Sequence, residues 1–283
     1  MLIDILRATV RNKLALFGVV ILLGYLLMAT IGPVIAPLDV VTRWEYRFQP
    51  PSWQHPLGTD HLGKDTLAQI IHGSRDVLTI AVVTALFSIL IAISVGAVSG
   101  YVGGKVDAGL NGAINVFLTI PPLPVMMIAA ALFAVADVVS FALLLAVWMW
   151  PALARAVRAQ ILSLKEREFT EASRCLGLGV FHIVFRELVP NLIPYITIEF
   201  VRLVREAVTA SVGIMLLGLA VFSPTNWGVM LHLAIFHTGA VFVPRAMFYV
   251  LSPMAAIVFL QLGSLCFARG LEEVLNPRLR EYE

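Results

Sequence analysis

The chain is poor in charge. Asp, Glu, Lys and Arg make up only 13% of its 283 residues, against about 25% in an ordinary soluble domain, which excludes a soluble globular fold. Cysteine is scarce as well. Cys175 and Cys266 fall on a segment expected in the cytoplasm and near the inner end of the last apolar run, so a disulfide framework is excluded and both read as small packing residues. Metal-ligand spacing is missing: His232 and His237 lie five apart rather than four, and His55, His61 and His72 share a polar loop without partnering cysteines. A phosphate loop is missing too. Gly104-Lys105 invites one, but the first glycine of that pattern falls on Ser99 and the residue after the lysine is Val106. Without a nucleophile and base in a convincing constellation the chain has no covalent chemistry and no cofactor of its own. Its net charge of +2 gives no footprint for nucleic acid.

What is present is apolar sequence, 59% of the chain. A bilayer core needs roughly 20 apolar residues per helix, and six stretches qualify: 14–36, 77–98, 108–133, 138–153, 192–220 and 246–267. The fourth is weakest, because Pro151 cuts it short. The expected fold is all-α and polytopic, embedded in membrane lipid, with residues 1–76 as one helix plus an outer loop and 77–283 as a five-helix core. No soluble domain of normal size fits between the spans, so any catalytic engine sits on another polypeptide. Thirteen Lys and Arg fall on one set of connecting segments, including Arg7, Arg11, Arg155, Arg174, Arg278 and Arg280, and five on the other: Arg43, Arg47, Lys64, Arg75 and Arg245. By the positive-inside rule both termini are cytoplasmic. The first span exceeds the usual length of a signal peptide's apolar region and reads as a retained helix.

Five motifs stand out. Glu171-Ala172-Ser173-Arg174-Cys175-Leu176-Gly177, in a basic segment between spans, has the composition of a short polar helix stopped by glycine. A protein that only spans a membrane needs no such element, and it reads as a handle for a separate motor. In the loop 37–76, the run from His55 to Asp65 places Gly58, Thr59, Asp60, Gly63 and Asp65 in tight turns ahead of an amphipathic stretch. It is either a surface loop ending in an N-cap at Asp65 or an ordered cap that receives a delivered solute. Gly96, Gly100 and Gly104 recur every four residues, the spacing for close helix approach. Pro121, Pro122 and Pro124 must kink the third span, for packing or beside a pathway. In the fifth span Glu199, Arg202, Arg205 and Glu206 fall within about 120° of arc, with Arg202 and Glu206 as an i,i+4 pair. At a cost of at least ~2.5 kcal/mol per charge against lipid, this stripe faces either a partner subunit or a water-filled path.

The order of these features resembles the membrane subunits of binding-protein-dependent ABC importers, in the dipeptide, oligopeptide and nickel permease family. The likeness covers nearly the whole chain: one span, the GTD-x-x-G-x-D pattern of Gly58 to Asp65, five further spans, and the run from Leu164 into Glu171-Ala172-Ser173. Pro224-x-x-Trp227-Gly228 and Asn276-Pro277-Arg278 add two more matches. The resemblance implies a type I importer permease fold with Glu171 to Gly177 as the coupling helix, within a cytoplasmic segment at about 166–187. It further implies a homologous second permease subunit, two cytoplasmic ATPase subunits that bind ATP and Mg, and an extracytoplasmic solute-binding protein. Ser173 departs from the pattern's second alanine, Glu187 stands where relatives are often neutral or histidine, and the charged stripe lies where small or apolar residues are usual. Arg202, Arg205 and Glu206 are the candidates for the translocation path. The solute stays open among peptides, oligosaccharides and nickel complexes. The rival reading is a secondary transporter or channel, which would show an internal repeat.

Overall fold

The computed structural model describes residues 12–39, 41–133, 135, 137–220 and 223–275. Arg7, Arg11, Arg278, Arg280 and the Asn276-Pro277-Arg278 motif lie outside them. Among the described residues the regular secondary structure is all helical apart from one isolated bridge, Thr59 to Asp65. Helix α1 spans Lys13–Thr30, capped by the Asn12 side chain, which accepts from the amides of Leu14 and Ala15. Helix α2, Thr66–Val102, starts at Asp65, whose carboxylate accepts from the amide of Ala68. Its 37 residues make it roughly 55 Å long. The expected amphipathic stretch after Asp65 is its first turns, not a separate element, and α2 runs unbroken past position 76.

Next come α3, Gly104–Thr119, and α4, Pro122–Leu132, which meet at 86°. The prolines here were expected to kink one helix; they break it in two. Ile120 precedes a proline and is extended (φ −81°, ψ 127°), and Pro122 opens the next helix, where a missing amide costs nothing. Helix α5, Val138–Lys165, does the reverse, because Pro151 was expected to end it and instead sits buried inside it. Tertiary packing outweighs the lost hydrogen bond there: α5 lies along α2 in the most extensive helix pair of the molecule. A Cβ on Gly96 would come 2.5 Å from the Ala154 carbonyl oxygen, and one on Gly100 2.8 Å from that of Arg158. Two of the three glycines therefore do what their spacing predicts. Gly104 does not; with Gly103 it takes a positive φ and turns the chain between α2 and α3.

After α5 the chain forms α6, Glu168–Cys175, a wide π turn over Ile183–Leu188, then α7, Ile193–Leu216; α8, Trp227–His232, with a second π turn over Leu233–His237; and α9, Met247–Leu275. Pro190 accounts for the first π turn. Its ring would strike the carbonyl four residues back in α-helical register, and the wider register relieves that clash. Helices α1 and α9 pair through small residues: a Cβ on Gly18 would lie 2.3 Å from the Phe267 amide, a seam the sequence pattern does not advertise.

Six spans were expected, and the structure qualifies that number. Among the described residues four helices are long and apolar enough to cross a membrane: α1, α2, α5 and the one that contains most of α9. The bent α3–α4 pair would make a fifth if it counts as one span. Helix α7 has the length, but its four charges keep it out of the apolar set.

Candidate functional site

Three candidate regions were read from the sequence, and the structure treats them differently. The first is α6. Glu168 and Glu171 lie in its first turn and Arg174 in its last, complementing the helix dipole at both ends. Gly177 ends it at φ +71°. Its amide donates to the Arg174 carbonyl (2.9 Å), and that of Leu178 reaches back to the Ser173 carbonyl (3.2 Å), the paired bonds of a Schellman stop. Leu178 then packs against the core formed by α2, α5 and the segment before α7.

Eight residues do not make a stable helix alone, and side-chain ties hold this one. Buried Thr170 donates to the Leu164 carbonyl of α5 (2.9 Å). The Arg174 guanidinium lies over the Tyr101 ring at the end of α2, 5.3 Å from its centroid. Ser173, also buried, donates to a Glu187 carboxylate oxygen (2.5 Å). Glu187 in turn stands 3.6 Å from the His182 ring nitrogen. The two sequence departures, Ser173 and Glu187, are thus partners. The opposite side of α6 is free: Glu171, Ala172 and Gly177 are exposed, as are Phe169, Leu176 (78%), Val180 and Phe181 (73%) beside them. Of the expected 166–187 segment, only Glu168–Cys175 is this helix.

The second region is the stripe on α7. Glu199 is buried, and Arg202 closes on it with Nε at 2.8 Å and Nη2 at 2.6 Å. The expected pair with Glu206 is the looser one, 3.9 Å long. Burial decides between the two carboxylates, because the one withdrawn from solvent draws the guanidinium. Arg205 is not joined to either. Its Nε is buried without a hydrogen-bond partner among the described residues, while its backbone carbonyl accepts from Gln261 of α9 (3.0 Å). The buried carboxylate of this stripe is thus held by Arg202 and not by Arg205. Arg202, Glu206 and Thr209 line the exposed side of α7.

The third region is the 36–65 loop, whose motif residues point into the loop itself. Thr59 and Asp60 are 1% and 2% exposed. Thr59 donates to the Tyr46 carbonyl and accepts from the Gln49 amide. Asp60 accepts from the amides of Leu62 and Lys64, both 2.8 Å, and from the Gln69 side chain. Gly58 and Gly63 take positive φ where a Cβ would strike the carbonyls of Gln49 and Arg43. Asp65, besides capping α2, holds His55 at 2.8 Å. His61 leans on Tyr249 of α9, ring centroids 6.0 Å apart. Burial pushes its imidazole below the usual histidine value; Asp60 opposes this, while Arg47, Lys64 and His237 add to it.

One cluster escaped the sequence reading. Asp107 of α3 receives both nitrogens of the Arg158 fork at 2.6 Å and the Ser99 hydroxyl at 2.5 Å, clasping α2, α3 and α5 together. Fifty-one residues separate the charged pair, and no local pattern joins them. Among the described residues no cluster of His, Cys, Asp and Glu could hold a metal ion.

Residues 88–281 match the family described as the binding-protein-dependent transport system inner membrane component. Residues 1–51 match the N-terminal TM domain of oligopeptide transport permease C. The chain is 34% identical over 284 residues to the dipeptide transport system permease protein DppC of Bacillus subtilis, covering 98% of this chain and 86% of that protein. It is 29% identical to the oligopeptide transport system permease protein OppC of the same bacterium, over 95% of this chain and 87% of that one. The OppC of Mycobacterium bovis is also 29% identical, with 98% and 94% covered. The chain therefore belongs to the inner membrane components of binding-protein-dependent transport systems: a non-catalytic, multi-pass ABC permease that works with a solute-binding protein and an ATPase partner, which binds the ATP.

Proposed function

We propose that this chain forms half of the translocation pathway of an ATP-driven peptide importer, beside a homologous second permease subunit, above two cytoplasmic ATPase subunits and beneath an extracytoplasmic binding protein. The peptide assignment is supported by the near full-length likeness to a dipeptide permease protein and by the match of the N-terminal segment to a domain of an oligopeptide permease. Cytoplasmic N- and C-termini are supported by the thirteen-to-five distribution of Lys and Arg. Residues 1–76 supply the first helix and the outer loop, and 77–283 the permease core, with α2 bridging the two.

The observation that carries the reading is α6. Its inner side is tied to the bundle, its outer side offers Glu171, Ala172 and an exposed apolar rim, and Gly177 ends it in a left-handed turn. Such an element passes a displacement from a docked motor into the helices without supplying chemistry itself. ATP-driven closure of the ATPase pair moves α6, the helices tilt, and the cavity opens to one side and then the other. Arg202 and Glu206 on the exposed side of α7, with the half-buried Arg205 beside them, contribute to its wall, where water meets the solvation needs that lipid could not. The residues Gly58, Thr59, Asp60, Gly63 and Asp65 build the outer cap and leave solute contact to others.

The test is reconstitution of the purified complex in lipid vesicles with its binding protein. Peptide uptake that requires ATP, with ATPase subunits in stoichiometric amount, is the expected result. Peptide uptake that proceeds without ATP would overturn the importer reading. ATP-driven uptake of oligosaccharide with none of peptide would overturn the solute class alone.

A further inference from the structure

Among the described residues three side chains tie α6 to the bundle: Thr170 to α5, Arg174 to Tyr101 of α2 and to the Lys165 carbonyl of α5, and Ser173 to Glu187 in the π turn that leads into α7. The third differs in kind. It is a short hydrogen bond to a charged group, 2.5 Å long, from a buried hydroxyl, and charged acceptors make the stronger bonds. The other two tie α6 to helices beside it, whereas this one crosses the turn at Gly177 and meets the chain that continues into α7, which carries the charged stripe. Gly177 and Gly179 are both exposed, with open space where a Cβ would stand, so the piece of chain that joins α6 to the buried turn at Ile183–Leu188 starts as two glycines on either side of Leu178. A displacement of α6 would bend that link before it moved α7, unless a contact bypasses it.

We propose that Glu187 is a positioning residue for transport: by holding Ser173 it makes α6 and the approach to α7 one body, so that movement of α6 tilts α7 and is not absorbed at the Gly177 turn. The inference rests on α6 being the coupling helix. His182, 3.6 Å from the other carboxylate oxygen, leaves Glu187 oriented toward Ser173. The geometry asks for an acceptor at position 187, so glutamine should serve there in part, through a weaker neutral bond.

The experiment uses the complete transporter in vesicles and reads solute carried per ATP hydrolysed, beside ATPase rate and thermal stability. Glu187→Ala and Ser173→Ala should each lower solute per ATP by roughly tenfold, the worth of one hydrogen bond to a charged group, with ATP hydrolysis retained. The double variant should be no worse than either single one, and Glu187→Gln should fall between Glu187→Ala and wild type, since its amide oxygen still accepts but makes a weaker neutral bond. A merely structural role would lower thermal stability and leave the ratio of surviving complexes unchanged. An unchanged ratio in Ser173→Ala, or losses that multiply in the double variant, would overturn the proposal. In parallel, Cys175, exposed at the end of α6, is cross-linked in the wild-type complex with a short thiol-to-amine reagent. Capture of the ATPase together with an unchanged ratio would defeat this inference alone; absence of that cross-link would defeat it together with the coupling-helix reading.

Discussion

Gly177 permits an unusually clean test, because a second glycine stands two residues away in the same surroundings. A Cβ at either position meets nothing within 4 Å, so steric conflict is absent from both. What differs is the backbone: Gly177 has φ +71°, while Gly179 has φ −68°. Forcing a side chain into the left-handed region costs roughly 1–2 kcal/mol, and a β-branched one suffers most. Against that cost stand two backbone bonds, from Gly177 to Arg174 and from Leu178 to Ser173. Relaxing Gly177→Val to negative φ breaks both and releases Leu178 from the core. Either way ~1–2 kcal/mol falls on an eight-residue helix with little stability of its own, which is a five- to thirtyfold loss of its correctly ended form. Membrane insertion and the bundle, set by other helices, are unaffected. In vesicles, Gly177→Val should lose most solute transport and most stimulation of the ATPase, Gly177→Asn should keep a good part of both because asparagine tolerates this conformation, and Gly179→Ala should match the wild type. Equal behaviour of Gly177→Val and Gly179→Ala would refute the reasoning.

Further outcomes follow from the other sites. Arg202→Gln removes the charged partner of the buried Glu199 carboxylate and should lower the thermal stability of the purified complex; since Arg202 is itself half-exposed and Tyr195 still hydrogen-bonds Glu199, the loss should fall below the ~3–5 kcal/mol of a fully buried pair. Arg205→Gln breaks no ion pair among the described residues and should lower the melting temperature less than Arg202→Gln does, while slowing peptide uptake. The lowered imidazole of His61 gives a signed pH dependence: the unfolded chain binds this proton more tightly, so its contribution is intact above the ordinary histidine value of about 6.5 and declines as pH falls through it. Melting curves from pH 7.5 to 5 should therefore drop less steeply for His61→Gln than for wild type. Topology can be read with a cysteine at the fully exposed Trp53 in a Cys175→Ser background. An impermeant thiol reagent should label it in intact cells and should miss Ser163→Cys. The buried Thr59 would be a poor reporter, and reversed labelling would overturn the orientation.

Hydrophobic run length and local turn chemistry were legible in the sequence because both act over a few residues. The apolar stretches, the cap at Asp65, the stop at Gly177 and the close approach at Gly96 and Gly100 follow from spacing that any reader of the chain can count. The same proximity explains where that reading erred. Pro151 and the prolines at 121, 122 and 124 obey one local rule, yet the first stays inside a helix and the others break one. What differs is packing: α2 lies against α5 in an extensive helix pair, while among the described residues neither α3 nor α4 is packed as extensively against any other helix. The stripe on α7 shows a finer limit, since Arg202 had two carboxylates in reach along its own helix and burial of Glu199 chose between them.

The sequence by itself determined that this chain lives in a membrane, that its helices are apolar runs joined by polar turns, and that one short polar element ends at a glycine. These properties are sums over neighbouring residues. Tertiary structure alone decided that Asp107 meets Arg158, that Tyr101 carries Arg174, and that Ser173 meets Glu187 across a π turn. Each of those pairs depends on how whole helices pack and in what register. That register is set by the summed contacts of two surfaces and by the side chain that burial leaves in need of a partner, and no count along the chain contains it.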